Sequence, residues 1–411
     1  MAGSKCVIVG GGMVAGYAAK QLVELGLKAD ELAILSADTA VPYERPPLSK
    51  SFLAGKDSEA TVRINPEEFY RDHGIEIRLG CRVTAVDPAH RRLSLAGGGE
   101  FPFEKLILAT GSSPRKLTIP GADLGNVFYL RTLEDSKAIR QRAGGARRAV
   151  VIGGGFIGLE VAAVLAQKPV ETTLVIQEDR VWKRLFTPEM SQFFENYFSA
   201  RGVRLVKNAK LRQLQGSGVV KAVELANGST IDCDLVVAGI GAWPATDLLA
   251  GSGIEMADGV KVNEYLETNV PGIFAAGDIA DYPDSIFQKR RRVEHWDNAV
   301  SQAQHCARAL MGERTPFRHV PYFFSDVFDL SYEFWGDPTG AVQAVPRGDL
   351  ASNSFSVWWV RNDTLAAAFV MNGPNEERDA APLLIESGRR VQAAHFRDTA
   401  RPIVATGAAR G

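Results

Sequence analysis

The chain has 411 residues, 45% of them hydrophobic and 23% charged, with a formal net charge of −1. That balance gives no overall bias toward nucleic acid or an anionic membrane surface, and no run reaches the roughly 18 uninterrupted apolar residues of a transmembrane helix. The length suits two or three domains; with a strand expected to begin by Lys5 there is no room for a targeting peptide, and a cytoplasmic location is expected by default.

The first element is VIVGGGMVAG, Val7 to Gly16. β-Branched apolar residues run into a GxGxx(G/A) turn, the pattern by which a buried strand feeds a helix N-terminus in a dinucleotide-binding βαβ unit. Gly10 allows the tight turn, Gly12 lets the backbone approach a pyrophosphate, and Ala15 lets helix and strand pack closely. Free N–H groups and the dipole at the helix start then hold phosphate charge. A helix is predicted over Gly16 to Leu25, then strands LAIL (Leu32 to Leu35) and LILATG (Leu106 to Gly111), separated by a proline-marked loop, VPYERPPLSK (Val41 to Lys50).

The pattern returns at VVIGGGFIGLE, Val150 to Glu160, where Gly153, Gly155 and Gly158 take the same three positions. One such motif is weak, because any sharp strand-to-helix turn enriches glycine; two, each opening an Ala/Leu-rich helix, predict two dinucleotide sites. The second helix is expected over Leu159 to Gln167, followed by TTLVIQE (Thr172 to Glu178), LVVAGIG (Leu235 to Gly241), VPGIFAAGD (Val270 to Asp278) and a helix from Asn298 to Leu310. From Pro321 short aromatic strands (YFFSDVF, YEFWG, FSVWWV) predict an antiparallel sheet. The fold class is therefore α/β: a Rossmann-like domain over 1–118 and 246–320, a second one over 119–245 inserted into it, and a C-terminal α+β interface domain over 321–411.

Cys6, Cys81, Cys233 and Cys306 are too scattered for a CxxC metal site or a disulfide framework. No metal site is expected, each cysteine reads as a small buried hydrophobe, and with no thiol pair to relay them, electrons must leave a cofactor directly. Glu178, about 20 residues past Gly158, stands where a carboxylate hydrogen-bonds the adenine ribose and repels a 2′-phosphate, which favours NADH over NADPH, although Arg180 and Arg184 could accommodate a phosphate. The matching position of the first unit is Ala37. Either Asp38 substitutes, or backbone and water hold that ribose.

In order, GGGMVAG, PYERPPLSK, LILATG, YLRT, GGGFIGLE, RLFTPEM, AGIGAWP, AAGD, EHWDNA and FWGDPTG resemble the two-dinucleotide flavoprotein reductases. The resemblance runs from Cys6 to about Gly373 and is closest to monodehydroascorbate reductases, then bacterial ferredoxin reductases, then apoptosis-inducing factor. It implies FAD in the outer domain, NAD(P)H in the inserted one, hydride transfer from NADH to flavin N5, and release of single electrons to an acceptor. For FAD it implies Gly10, Gly12, Val14 and Ala15 at the diphosphate, with Asp38, Arg45 and Val83 nearby. Ala109, Thr110, Gly111 and Arg131 would run beside the flavin, Asp278 would bind the ribityl chain, and Trp296 would face the flavin edge, where a helix start stabilises negative charge on the ring. An exposed Arg131 paired with Glu134 is an alternative. For NADH the implied residues are Gly153, Gly155, Phe156, Ile157, Gly158, Glu178, Arg184, Gly241, Glu294 and His295, with Glu160 toward the nicotinamide. Lys50 and Glu160 are the implied catalytic pair, orienting and polarising the flavin; the alternative is a solvated lysine and an ordinary helix glutamate.

The acceptor positions depart from monodehydroascorbate reductases. Val300 replaces an arginine, and Phe324-Ser325-Asp326 replaces a Tyr-Ser-Arg triplet, so a small anion would bind poorly. A ferredoxin-type iron–sulfur protein, steered by Lys289-Arg290-Arg291-Arg292, is one acceptor reading, with a solvated loop as the alternative for that run. A quinone or organic radical against Phe324, Trp296 and Trp335 is another, with core packing as their alternative. The enzyme readings are thus a monodehydroascorbate-reductase-like NADH oxidoreductase with a divergent acceptor site, or an NADH-dependent ferredoxin reductase of an oxygenase chain. A redox-responsive interaction protein of the apoptosis-inducing-factor kind is a reading of a different class. A cysteine-based peroxidase is disfavoured because SFLAG, after Lys50, lacks the cysteine such enzymes carry there.

Overall fold

A computed structural model describes residues 6–341 and 343–404; Lys5, the expected start of the first strand, lies outside them. The described residues form two compact units, one from 6–47, 57–113 and 242–319, the other from 48–56, 114–241 and 320–404. No helix among them is long and apolar enough to cross a membrane.

The first unit is built on a parallel five-stranded sheet in the order Ile273–Ala275, Lys105–Leu108, Cys6–Val9, Leu32–Leu35, Glu76–Arg78. Cys6–Val9 and Leu32–Leu35 are buried at every position, which is why they read as unbroken apolar runs and not as alternating ones. Helix Met13–Glu24 packs against helix Trp296–Leu310. Ala15, Ala18 and Ala19 on one, and Ala303 and Ala307 on the other, are fully buried, and such small side chains let two helix axes approach closely.

The second unit carries a matching parallel sheet, ordered Val203–Val206, Glu171–Val175, Arg148–Ile152, Leu235–Ala238, Val127–Phe128. Its helix Phe156–Ala166 is buried continuously from Gly158 to Leu165, as suits a segment that is apolar apart from Glu160. Within the same unit lies an antiparallel sheet, ordered Tyr322–Val327, Leu330–Gly336, Thr364–Met371, Phe355–Arg361, Gln343–Gly348. Its register sets Phe334 opposite both Phe323 and Phe369, and the Phe323 and Phe334 rings stack 4.8 Å apart. Helix Pro188–Ala200 adds Phe194 to this aromatic core.

All three glycine- or histidine-led helices begin earlier than the sequence reading placed them, at Met13, Phe156 and Trp296. In the two motifs the second glycine is itself the N-cap, so the residues that follow it are already helical. Conversely, LILATG, TTLVIQE and LVVAGIG leave their sheets at Leu108, Val175 and Ala238, and Glu178 stands three residues beyond its strand.

Phe369 is fully buried, with the rings of Phe186, Tyr332 and Phe355 at 5.1, 5.5 and 5.6 Å. Phe369→Ala is expected to cost about 3–5 kcal/mol through the cavity it leaves, read as a lowered urea midpoint, with Phe369→Leu losing much less.

Candidate functional site

In the first unit, Gly10 has φ +125°, and a Cβ there would overlap the Ala109 carbonyl oxygen, so only glycine fits. Gly12 is the N-cap of helix Met13–Glu24, and no side chain caps it. The nearest group facing a Cβ at Gly12 would be the Arg45 guanidinium, Nη2 at 3.8 Å. An uncapped helix start beside a cation fits a diphosphate. Val14 and the fully buried Ala15 form the first helical turn. Gly277, with φ +77°, comes so close that a Cβ would meet Val14 Cγ2 at 2.8 Å, which brings the next residue, Asp278, to the same end of the sheet. Ser112 Oγ donates to Asp278 at 2.7 Å. Thr110 Oγ1 donates to the Ala245 carbonyl at 2.7 Å, Gly111 has φ +68°, and Val83 opens the strand Val83–Asp87.

Asp38 is committed locally. Tyr43 donates to its Oδ2 at 2.7 Å, while Oδ1 accepts from the backbone of Thr39 and Ala40 at 2.8 and 3.3 Å. Trp296, at the start of its helix, donates from Nε1 to Glu44 at 2.6 Å, and Tyr17 donates to the other Glu44 oxygen at 2.5 Å. His295 is the N-cap of that helix, and burial pulls its imidazole down to about 4, so it is neutral at neutral pH. Glu294 is exposed and pairs with Arg292; Asp297 pairs with His319.

Three members of the basic run have acidic or carbonyl partners. Arg291 lies 2.9 Å from Asp284; Arg290 pairs with Asp281 at 3.5 Å and donates to the Val262 carbonyl at 2.9 Å; Arg292 donates to the Asp278 carbonyl at 3.0 Å besides pairing with Glu294. Arg290 and Arg291 therefore tie strand Lys289–Arg291 to Ala280–Asp284, and Arg292 holds the segment at Asp278, while Lys289 and Arg290 stay exposed. Val300 is half-buried on helix Trp296–Leu310.

In the second unit the glycine turn repeats. Gly153 has φ +118°, and a Cβ there would overlap the Gly239 carbonyl; one on Gly158 would overlap the Gly153 carbonyl. Gly155 is an N-cap without a side-chain cap and has open space around it, an arrangement that likewise fits phosphate. Phe156 packs on Phe323 at 4.7 Å, and Ile157 stays 37% exposed at the helix start. Glu178 and Arg184 are both exposed, and Gly241 has φ +102°. The Glu134 carboxylate takes Lys137 at 2.7 Å, and the Arg131 backbone N–H donates to Asp135 at 3.0 Å.

Lys50 and Glu160 meet. Lys50 Nζ is 2.8 Å from Glu160 Oε1, and the Glu160 side chain is 5% exposed. Ser325 Oγ donates to the same carboxylate at 2.5 Å, and Ser49 Oγ donates to its other oxygen. Lys50 Nζ also stands 5.7 Å from the centre of the Phe324 ring. A buried carboxylate thus has one cation and two hydroxyls, the pairing its desolvation demands, and neither member is a freely solvated side chain. Ser49 and Ser325 were not singled out from the sequence. The one available signal was that Ser325 is the member of Phe324-Ser325-Asp326 that keeps the Tyr-Ser-Arg pattern. Asp326 is exposed; Trp335 is buried against Tyr322 at 5.4 Å. All four cysteines are free, three of them buried, and burial pushes the Cys233 thiol up to about 12 and Cys306 further.

Residues 4–303 match the family described as pyridine nucleotide-disulphide oxidoreductase, and residues 322–406 match a reductase C-terminal family. The chain belongs to the pyridine nucleotide-disulphide oxidoreductases. It is 37% identical to the 5,5'-dehydrodivanillate O-demethylase ferredoxin reductase subunit of a Sphingobium species, over 99% of each chain. It is 36% identical to a monodehydroascorbate reductase of Solanum lycopersicum, over 92% of each. Among solved structures it is similar to a ferredoxin reductase from Rhodopseudomonas palustris, with TM-score 0.92 and 33% identity over 97% of this chain and 98% of that one. It is likewise similar to the reductase of the covalent putidaredoxin reductase–putidaredoxin complex, with TM-score 0.93 and 31% identity over 98% of each. As a member of this oxidoreductase family the chain is an FAD-dependent enzyme that uses NAD(P)H. Its cysteines are all free, so the disulphide of the family's name has no counterpart among the described residues.

Lys50→Met strands the Glu160 carboxylate with hydroxyl donors alone. A loss of about 3 kcal/mol in urea unfolding is expected, and Lys50→Met/Glu160→Leu should recover much of it.

Proposed function

We propose that the chain carries electrons from NADH through FAD to a one-electron iron–sulfur acceptor, as the reductase component of an oxygenase-type system. FAD, when bound, supplies a hydride acceptor that can return electrons singly. The first glycine turn and Arg45 would hold its diphosphate, and Asp278, fixed by Ser112, its hydroxyl-bearing chain. With Asp38 bound to Tyr43 and to its own loop, main-chain groups and water are the better assignment for the adenosine ribose. The second glycine turn would hold the NADH diphosphate. Exposed Glu178, beyond strand Glu171–Val175, favours NADH over NADPH by repelling a 2′-phosphate. Glu160 orients Lys50, and the two hydroxyls of Ser49 and Ser325 hold that carboxylate in place.

The acceptor reading is carried by one observation: the positions that would recognise a small anion hold half-buried, apolar Val300 and exposed, anionic Asp326. A carboxylate there repels an ascorbate-like anion. The full-length similarity to ferredoxin reductases supports the same reading. Monodehydroascorbate reduction is the second reading, favoured by the identity with the tomato enzyme.

Anaerobic reduction with NADH followed by stopped-flow mixing separates them. A [2Fe–2S] ferredoxin should reoxidise the enzyme at least about tenfold faster than ascorbate radical or a quinone at equal concentration. Faster reoxidation by the ascorbate radical would sink the iron–sulfur reading.

A further inference from the structure

We infer that Trp182 is a positioning residue for coenzyme selection, fastening the segment that carries Glu178 onto the second glycine turn through a strained backbone. The inference rests on the NADH reading above. Trp182 has φ +48°, a left-handed conformation in which the Cβ of a bulky residue crowds its own backbone. Such strain persists only where the surroundings over-determine it.

Here the surroundings do so from three directions. The Trp182 N–H donates to the Gly154 carbonyl at 3.1 Å, inside the glycine turn itself. One residue earlier, Val181 is held at both main-chain groups. Its N–H donates to Glu195 Oε1 at 3.2 Å, and its carbonyl accepts from Ser191 Oγ at 2.7 Å. Glu195 is buried, and its other oxygen takes Lys207 Nζ at 2.6 Å. After Trp182 the chain turns at once, with the N–H groups of Leu185 and Phe186 both returning to the Trp182 carbonyl at 2.9 and 3.0 Å.

The ring is placed by shape. It is buried among Phe194, Phe186, Tyr332 and Phe156 at 4.8, 5.0, 5.7 and 5.9 Å, while its indole N–H has no hydrogen-bond partner among the described residues. Phe156 is the first residue of the helix that the glycine turn opens. At the far end of the segment the Glu178 carbonyl accepts from the Asn208 N–H at 3.0 Å, and the Asp179–Lys183 ion pair, at 3.1 Å, closes the short turn between. The Gly154 peptide and Glu178 are therefore parts of one frame, with Trp182 as its fastening. Releasing Trp182 should loosen the phosphate cradle and the ribose-selecting carboxylate together, with little effect on turnover once coenzyme is bound.

The test uses the flavin-loaded enzyme with ferricyanide as acceptor, so that the identity of the natural acceptor does not enter, and compares NADH with NADPH. Trp182→Ala should raise the KM for NADH roughly tenfold with kcat within about twofold, and should lower the NADH-to-NADPH ratio of kcat/KM at least about fivefold. Trp182→Phe, which keeps an aromatic ring in place, should stay near the parent, and Glu195→Gln should move the ratio in the same direction as Trp182→Ala by less. Val223→Ala, a core change away from this segment, controls for general destabilisation and should leave the ratio alone. A parent enzyme without NADH preference overturns the NADH reading; a parent that prefers NADH while Trp182→Ala keeps both KM and ratio overturns the positioning role. Should Trp182→Ala not fold, an unchanged ratio in Glu195→Gln overturns it equally.

Discussion

Both glycine turns obey a single steric constraint: a backbone carbonyl from the neighbouring strand's end occupies the space a Cβ would need. The Ala109 carbonyl does this to Gly10, and the Gly239 carbonyl does it to Gly153. Because each glycine accepts a positive φ without penalty, the chain can leave a buried parallel strand and enter a helix within three residues. The helix start that results is capped by no side chain at Gly12 or at Gly155. Its N–H groups are left without a side-chain cap, which suits each turn to an anion.

Carboxylates with converging donors organise the surroundings of each cradle. In the first unit Glu44 draws in the Tyr17 hydroxyl and the Trp296 indole, linking the proline-marked loop to two helices. Asp278 is held by Ser112 in the same way. In the second unit Glu160 gathers Lys50, Ser49 and Ser325, and Glu195 gathers Lys207 and the Val181 backbone. For Glu44, Glu160 and Glu195 a cation or two neutral donors replace the lost hydration, so the geometry of the donors is tightly specified.

The strands and helices were legible because their signals are local. Cys6–Val9, Leu32–Leu35 and Leu235–Ala238 are buried throughout and read as continuous apolar runs, and the aromatic strands after Pro321 carry their β character in composition alone. The Lys50–Glu160 pair was legible only through resemblance, since no local pattern joins residues 110 apart. Ser49, Ser325, Glu44 and Tyr17 were passed over for a related reason: Ser325 reaches Glu160 across 165 residues, and Trp296 reaches Glu44 across 252, so only the fold brings the partners together. The partners of the basic run are likewise set by the fold. Counting four adjacent cations took no account of Asp281 and Asp284, which the Ala280–Asp284 and Lys289–Arg291 pairing places beside them.

If the two cradles serve different nucleotides, they should fail separately, and flavin content measured beside coenzyme binding in Gly10→Ala and Gly153→Ala addresses this directly. Gly10→Ala should purify with its visible flavin absorbance lost or sharply reduced. Gly153→Ala should remain yellow yet no longer be reduced by NADH at concentrations that reduce the parent. A Gly10→Ala protein with full flavin content, or a Gly153→Ala protein reduced by NADH like the parent, would contradict the assignment of one nucleotide to each turn.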